Sequence, residues 1–302
     1  MTTLPLQSAP ATGPLARLSV FAQDIKIAHT VFALPFALLS TFLAANGSPR
    51  VGQLLLILAC MLTARTVAMA ANRLLDAKLD KLNPRTARRA IPSGTLSRSF
   101  YTLTLLACAA AFVAATAGFH LLYDNVWPVA LSVPVLLFLC GYPLLKRFTR
   151  LCHYYLGAAL ALAPVCAWVA IAGSLAAPPL WMAAAVLCWT AGFDIIYACQ
   201  DYESDRATGV FSVPARLGIG PALWVARLTH VVCVAMLVAL GRSAPALGML
   251  YWIGVGIATL LLVVEHAIVK PTDLSKVGLA FFTINGVISL ILGALGIADV
   301  FV

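Results

Sequence analysis

Nine apolar stretches, each about the length needed to cross a bilayer, constrain this 302-residue chain more than any other feature. A crossing helix needs roughly 20 consecutive apolar residues, because the hydrocarbon core is about 30 Å thick. Such runs occupy 25–45, 51–75, 98–119, 126–145, 151–173, 180–201, 221–241, 246–268 and 277–298. Inside lipid a spanning backbone must satisfy its own polar groups. Runs of this length therefore predict an all-α, polytopic membrane protein with nine transmembrane helices. Only 10% of the residues are charged, against roughly 25% in a soluble domain. Pro35, Pro134 and Pro164 fall within the runs and predict kinks that neighbouring helices accommodate.

The basic residues set sidedness. Of the 20 Lys and Arg, Arg65 and Arg227 lie deep within runs, away from their ends, and only Arg50 and Arg242 lie on one set of connections. All the others fall on the alternate set, most densely at Arg73–Arg98 and Lys146–Arg150. By the positive-inside rule that set is cytoplasmic, together with the N-terminus. The expected location is a bacterial-type inner membrane, crossed many times. The net charge of +9 follows from this topology and from an anionic substrate, so it needs no nucleic-acid partner.

Residues 1–20 are expected to form a disordered tail, since Pro5, Pro10 and Pro14 punctuate a start that lacks a signal-peptide pattern. Residues 21–302 are expected to form one membrane domain. The eight cysteines contain no CxxC pair and read as small core residues. The connections 77–97 and 202–220 are the longest and most polar, and are placed to cap a cavity open at the cytoplasmic face.

Two stripes of polar residues interrupt the apolar pattern. Asn72, Asp76 and Asp80 recur every four residues, and Asp194, Tyr197, Asp201 and Asp205 follow a later run. Four helical residues advance about 400°, so the members of the first stripe share a face if the helix continues to Pro84. Arg65 lies seven residues before Asn72 and returns to nearly that face. Glu203 falls off the second face and reads as solvated. Carboxylates at membrane depth are costly and usually mark a functional site. Oxygen ligands without His or Cys favour Mg²⁺, which typically binds through one or two carboxylates plus substrate phosphate oxygens. Facing Asp clusters suit a diphosphate. Arg85, Arg89, Lys146 and Arg147 supply cations at the same side, and Arg grips phosphate with paired hydrogen bonds.

These segments resemble the UbiA superfamily of intramembrane prenyltransferases. RTVAMAANRLLDAKLDKLNPRTARRAIPSG (65–94) is similar to its first Asp-rich motif, NxxxDxxxD, and DIIYACQDYESDRATGVFSVPARLG (194–218) to its second, YxxxDxxxD. GYPLLKRFTRLCHYYLGAALALAP (141–164) resembles its Tyr-Pro…Lys-Arg segment. The three matches keep their order across about half of the chain. The resemblance implies a nine-helix bundle around a central cavity that opens sideways to lipid. It implies a polyprenyl diphosphate donor, with Asn72, Asp76 and Asp80 on one Mg²⁺ and Asp201 and Asp205 on another. Arg65, Arg85, Arg89, Lys146 and Arg147 would bind diphosphate, and Asp194 and Tyr197 would lie near the reacting carbon or an aromatic acceptor.

The implied reaction is transfer of the polyprenyl group to an aromatic hydroxy acid, 4-hydroxybenzoate-like, in ubiquinone or menaquinone synthesis. KIAHTVFALPFAL (26–38), RFTRLCHYYLG (147–157) and VPARLG (213–218) look closer to the branch associated with futalosine-route menaquinone. The acceptor there is 1,4-dihydroxy-6-naphthoate. His29 and His153 belong to these stretches and are expected to be packing or interfacial residues. The competing class is an ion-coupled transporter, which predicts inverted repeats or matched broken helices; the sequence shows no clear example.

Overall fold

The computed structural model describes residues 13–26, 30 and 32–302. His29 lies outside the described residues, as does 1–12 of the expected tail. Among the described residues every regular element is helical, apart from one isolated bridge between Lys270 and Asp273. The order is α1 (Pro14–Asp24), α2 (Leu34–Ala45), α3 (Val51–Leu82), α4 (Arg98–Tyr123), α5 (Trp127–Leu145), α6 (Cys152–Ala172) and α7 (Ala177–Ala198). It continues with α8 (Tyr202–Thr208), α9 (Val213–Leu217), α10 (Ile219–Ser243), α11 (Met249–Ile268), the turn α12 (Val277–Leu279) and α13 (Asn285–Asp299).

Eight of the described helical segments are long and apolar enough to cross a membrane, and α2 is a shorter apolar helix. Large apolar side chains such as Leu103, Leu106, Leu121, Val133 and Leu137 stand exposed on α4 and α5. On a soluble protein such a surface would be a liability; here it faces lipid. The chain is a multi-pass membrane protein.

Two boundaries differ from the sequence reading. The expected tail is helical from Pro14, because proline fits the first turn of a helix, where its missing N–H has no partner to lose. Phe21 of α1 packs edge-on to Tyr101 at 5.0 Å between centroids. Among the described residues, the first expected span, 25–45, holds the 12-residue α2. Pro35 again sits in the first turn, so the helix starts there instead of running through it.

α7 is the central helix. It packs against α6 on one side and α10 on the other. Met182, Ala185, Trp189, Ala191, Ile195 and Ile196 are all nearly inaccessible, as expected of a helix surrounded by protein. α2 and α3 lean on α6 and α4, and α13 closes back onto α2. Small residues permit these approaches. A Cβ at Gly157 of α6 would stand 2.3 Å from the Leu187 carbonyl oxygen of α7.

Candidate active site

α3 carries the first stripe because it does not stop at the membrane boundary. Its 32 residues make a rod of about 48 Å, well beyond a hydrocarbon core of about 30 Å. Asn72, Asp76 and Asp80 lie on its last turns. The helix ends where Asn83 turns extended (φ −95°, ψ 120°), as the residue before a proline must. Asp76 is fully buried and Asp80 nearly so.

The cations sit directly on these carboxylates. Lys146 Nζ donates to Asp76 Oδ2 at 2.5 Å and Asn72 Nδ2 to the same oxygen at 3.0 Å. Arg89 Nη1 donates to Asp80 Oδ1 at 2.7 Å. That leaves Asp76 Oδ1 and Asp80 Oδ2 buried without a hydrogen-bond partner. Buried oxygens left unmatched are rare and call for a ligand or a cation. Among the described residues no three His, Cys, Asp or Glu side chains could hold a metal by themselves. Two orphaned carboxylate oxygens beside a cationic wall therefore fit Mg²⁺ arriving with phosphate oxygens, not a protein-only cage.

The second stripe is built differently. It does not ride one regular helix: α7 ends at Ala198, and a 3₁₀ turn, Cys199–Asp201, leads into α8. A 3₁₀ turn winds more tightly than an α-helix, so the register expected from the seven- and four-residue spacings is shifted. The residues still converge. Arg85 grips Asp201 with both arms, Nε to Oδ1 at 2.8 Å and Nη2 to Oδ2 at 2.5 Å. Asn83 Nδ2 adds a third bond to Asp201 at 2.9 Å. The Arg85 Nη1 also reaches the Tyr197 hydroxyl at 3.0 Å. Burial opposes charge on the Arg85 guanidinium, but its bonds to Asp201 outweigh this and hold its pKa above the ordinary value.

Asp194 meets His153. The ring Nδ1 lies 2.7 Å from Asp194 Oδ2, and the ring Nε2 accepts the backbone N–H of Val213 at 3.1 Å. A nitrogen that accepts carries no proton, so Nδ1 is the donor to the carboxylate. His153, expected to be a packing or interfacial residue, holds Asp194 in place.

One cavity of about 430 Å³ joins the two stripes. Asn72, Asp76, Asp80, Asp194, Tyr197, Asp201 and Asp205 all line it, as do Arg65, Arg85, Arg89 and Lys146. Beyond them its walls are apolar, with Ile57, Phe112, Phe119, Leu131, Val135 and Ala163. Arg65 turns Nη2 to the Lys26 carbonyl at 3.2 Å, while its buried Nε has no partner. Arg147 departs from expectation. It does not line the cavity; its Nη2 binds the Leu75 carbonyl at 2.7 Å, because Lys146 and Arg147 are neighbours at a helix end and point apart. Glu203 is exposed, as expected.

Residues 33–287 match the UbiA prenyltransferase family. The chain belongs to that family. It is 30% identical over 266 residues to a 4-hydroxybenzoate octaprenyltransferase of Marinobacter nauticus, covering 86% of this chain and 87% of the relative. A solved UbiA homolog from Aeropyrum pernix K1 superposes with a TM-score of 0.80 at 32% identity, over 90% of this chain and 98% of that one. A UbiA homolog from Archaeoglobus fulgidus, bound to GPP and Mg²⁺, shares the fold at a TM-score of 0.67 and 19% identity, over 94% and 100% of the two chains. The expected family and helical-bundle fold are thus found.

Several residues of this UbiA-family site escaped the sequence reading. Asn83 is one: its Oδ1 accepts the Arg85 N–H at 2.9 Å, a local turn that an Asn-Pro pair signals. Lys26 lines the cavity too. Burial, and then the charges of Arg85, Arg89 and Arg73, push its ammonium pKa down. Thr190 and Phe281 also line the cavity. Phe281 stacks near Tyr197 at 4.2 Å between centroids, but it sits 84 residues further along the chain with no motif around it.

Proposed function

We propose that this prenyltransferase moves a polyprenyl group from its diphosphate to an aromatic hydroxy acid of the 4-hydroxybenzoate type, in respiratory quinone synthesis. The observation that carries the reading is one cavity with carboxylates and cations at one end and apolar walls at the other. Such a shape takes an amphiphile with a charged head and a long hydrocarbon tail. The named activity of the Marinobacter relative supports the same reading.

Asp76 and Asp80 would hold one Mg²⁺ through their unmatched oxygens, and Asp201 and Asp205 a second. When bound, the ion supplies positive charge to the diphosphate oxygens. Lys146, Arg89 and Arg85 can transfer their hydrogen bonds from carboxylate to phosphate, and Arg65 offers its unused Nε. These donors stabilise the electron pair that the diphosphate takes as the allylic C–O bond breaks. The apolar wall keeps water from the allylic cation. The acceptor ring forms the new C–C bond and loses a proton. Asp194, fixed by His153, orients the acceptor hydroxyl or takes a proton, and Tyr197 lies one turn away. The site faces the cytoplasmic side of a bacterial-type inner membrane, where the basic connections lie.

The test is product formation by purified protein in lipid, with Mg²⁺ and a polyprenyl diphosphate, offering 4-hydroxybenzoate and 1,4-dihydroxy-6-naphthoate in parallel. Prenylated 4-hydroxybenzoate is the expected product. Prenylation of the naphthoate alone would move the enzyme to the futalosine-route branch. Flux of an ion or solute without diphosphate release would overturn the enzyme reading.

A further inference from the structure

A second set of polar side chains is shut inside the bundle, apart from both stripes. Glu265 of α11 and Asn285 at the start of α13 are fully buried, and Trp189 of α7 is nearly so. None of the three lines the cavity. Asn285 joins the others. Its Oδ1 accepts the Trp189 indole N–H at 2.6 Å, and its Nδ2 donates to Glu265 Oε1 at 3.0 Å. Nδ2 also donates to the Ala280 carbonyl at 3.0 Å. Turning the amide over would set N–H₂ against the indole N–H and oxygen against two acceptors, so its neighbours fix its orientation. An acid and an amide buried among apolar helices are costly unless matched, and the reaction described above uses neither.

What this junction holds is a turn of unusual width. Ala280–Ile284, between α12 and α13, is a π-helix, a rare winding that occurs mostly as single turns and often at functional sites. The Asn285 side chain bonds the carbonyl that opens it. The next residue is Phe281, which lines the cavity. Its ring lies 4.2 Å between centroids from that of Tyr197, and it meets Phe193 and Phe32 edge-on at 5.3 and 5.5 Å. Phe193 and Tyr197 bracket Asp194 on α7, so Phe281 closes the cavity against the stretch assigned to the acceptor. We propose that Phe281 is a specificity-determining residue for the acceptor ring, and that Asn285, Glu265 and Trp189 are positioning residues that hold it through the π-turn. The hydrogen bonds of Asn285 anchor that turn to α7 and α11. The Phe281 ring thereby keeps one place and sets how large an acceptor fits between it and α7.

This inference rests on the acceptor reading above. The full-length chain in lipid nanodiscs, with Mg²⁺ and a polyprenyl diphosphate, is assayed with 4-hydroxybenzoate and 1,4-dihydroxy-6-naphthoate. The readout is the ratio of the two acids' affinities, each taken as KM where the acid reacts and as its inhibition constant where it does not. A loss of folded protein leaves this ratio untouched. Phe281→Leu makes room for a second ring and should shift the ratio toward the naphthoate by about tenfold, with the KM of the diphosphate unchanged. Glu265→Met leaves one N–H of Asn285 without its acceptor and should shift the ratio the same way by about threefold. Glu265→Gln should restore it, because Gln keeps an oxygen for Asn285 and Glu265 Oε2 has no partner to lose. An unchanged ratio in Phe281→Leu, or a diphosphate KM that moves with it, would overturn the assignment of Phe281. An unchanged ratio in folded Glu265→Met, or one equally altered in Glu265→Gln, would overturn the positioning role. Should Glu265→Met fail to fold, Trp189→Phe decides in its place. It removes the indole N–H and keeps an aromatic ring beside Phe32, Phe36 and Phe193. If the unaltered chain prenylates neither acid, the acceptor reading itself falls and the assignment of Phe281 with it.

Discussion

The two Asp stripes line the same cavity but are in opposite chemical conditions. On α3, Asp76 and Asp80 are buried, and each keeps one oxygen without a partner. On the α7–α8 segment, Asp201 has both oxygens taken by Arg85 and Asn83, and Asp194 is held by His153. The first stripe is short of partners and the second is supplied with them. Matched spacing in sequence therefore does not mean equal roles. The α3 stripe can seat a cation as it stands, whereas Asp201 must first give up its bonds to Arg85 and Asn83 to hold one.

The sharpest way to break this contrast is Asp76→Asn or Asp80→Asn. Loss of charge at an oxygen with no other partner should lower turnover on the order of a thousandfold, with folded protein retained. Near-normal rates in either variant would sink the division. Asp201→Asn should do less, because it removes a hydrogen-bonded charge worth about 1.5–3 kcal/mol, or roughly tenfold to hundredfold in rate. Equal losses at Asp76 and Asp201 would mean that the two stripes hold their cations equally readily, despite the partners on Asp201.

Next in size is His153→Phe. It removes the donor that orients Asp194, and should raise the KM of the aromatic acceptor by about tenfold while leaving that of the prenyl diphosphate unchanged. A shift in the diphosphate KM instead would move Asp194 to the donor side of the reaction. The smallest effect belongs to Arg147→Ala. Its guanidinium binds a backbone carbonyl at the surface, so activity should stay within about twofold of the unaltered chain. A drop of tenfold would restore Arg147 to the diphosphate set.

A second pairing isolates stability from chemistry. Arg73 and Asp24 form a buried ion pair, and removing one partner of such a pair destabilises by about 3–5 kcal/mol. Arg73→Leu should therefore lower the thermal midpoint markedly, whereas Asp76→Asn should not. Indistinguishable midpoints for the two variants would show that the Asp24–Arg73 pair contributes little to holding α1.

Much of this was legible in the residues alone. Hydrophobic run length set the helical, membrane-spanning class, since a bilayer demands about 20 apolar residues per crossing. The four-residue spacing of Asn72, Asp76 and Asp80 survived intact because α3 is one unbroken helix, and helical phase can be counted along such a helix. The spacing of the second stripe did not survive, because the 3₁₀ turn at Cys199–Asp201 is a local overwinding that no periodicity announces. The acidic and basic residues were found from their cost at membrane depth. Which cation meets which carboxylate was decided by packing: Lys146 reaches Asp76 from 70 residues away, while adjacent Arg147 turns outward. Asp24 carries no motif signal, and His153, although it lies in a family-like stretch, was expected only to pack or sit at the interface. Their roles come from hydrogen bonds that span 41 and 49 residues, and a hydrogen bond depends on where helices meet, not on what lies beside a residue in the chain.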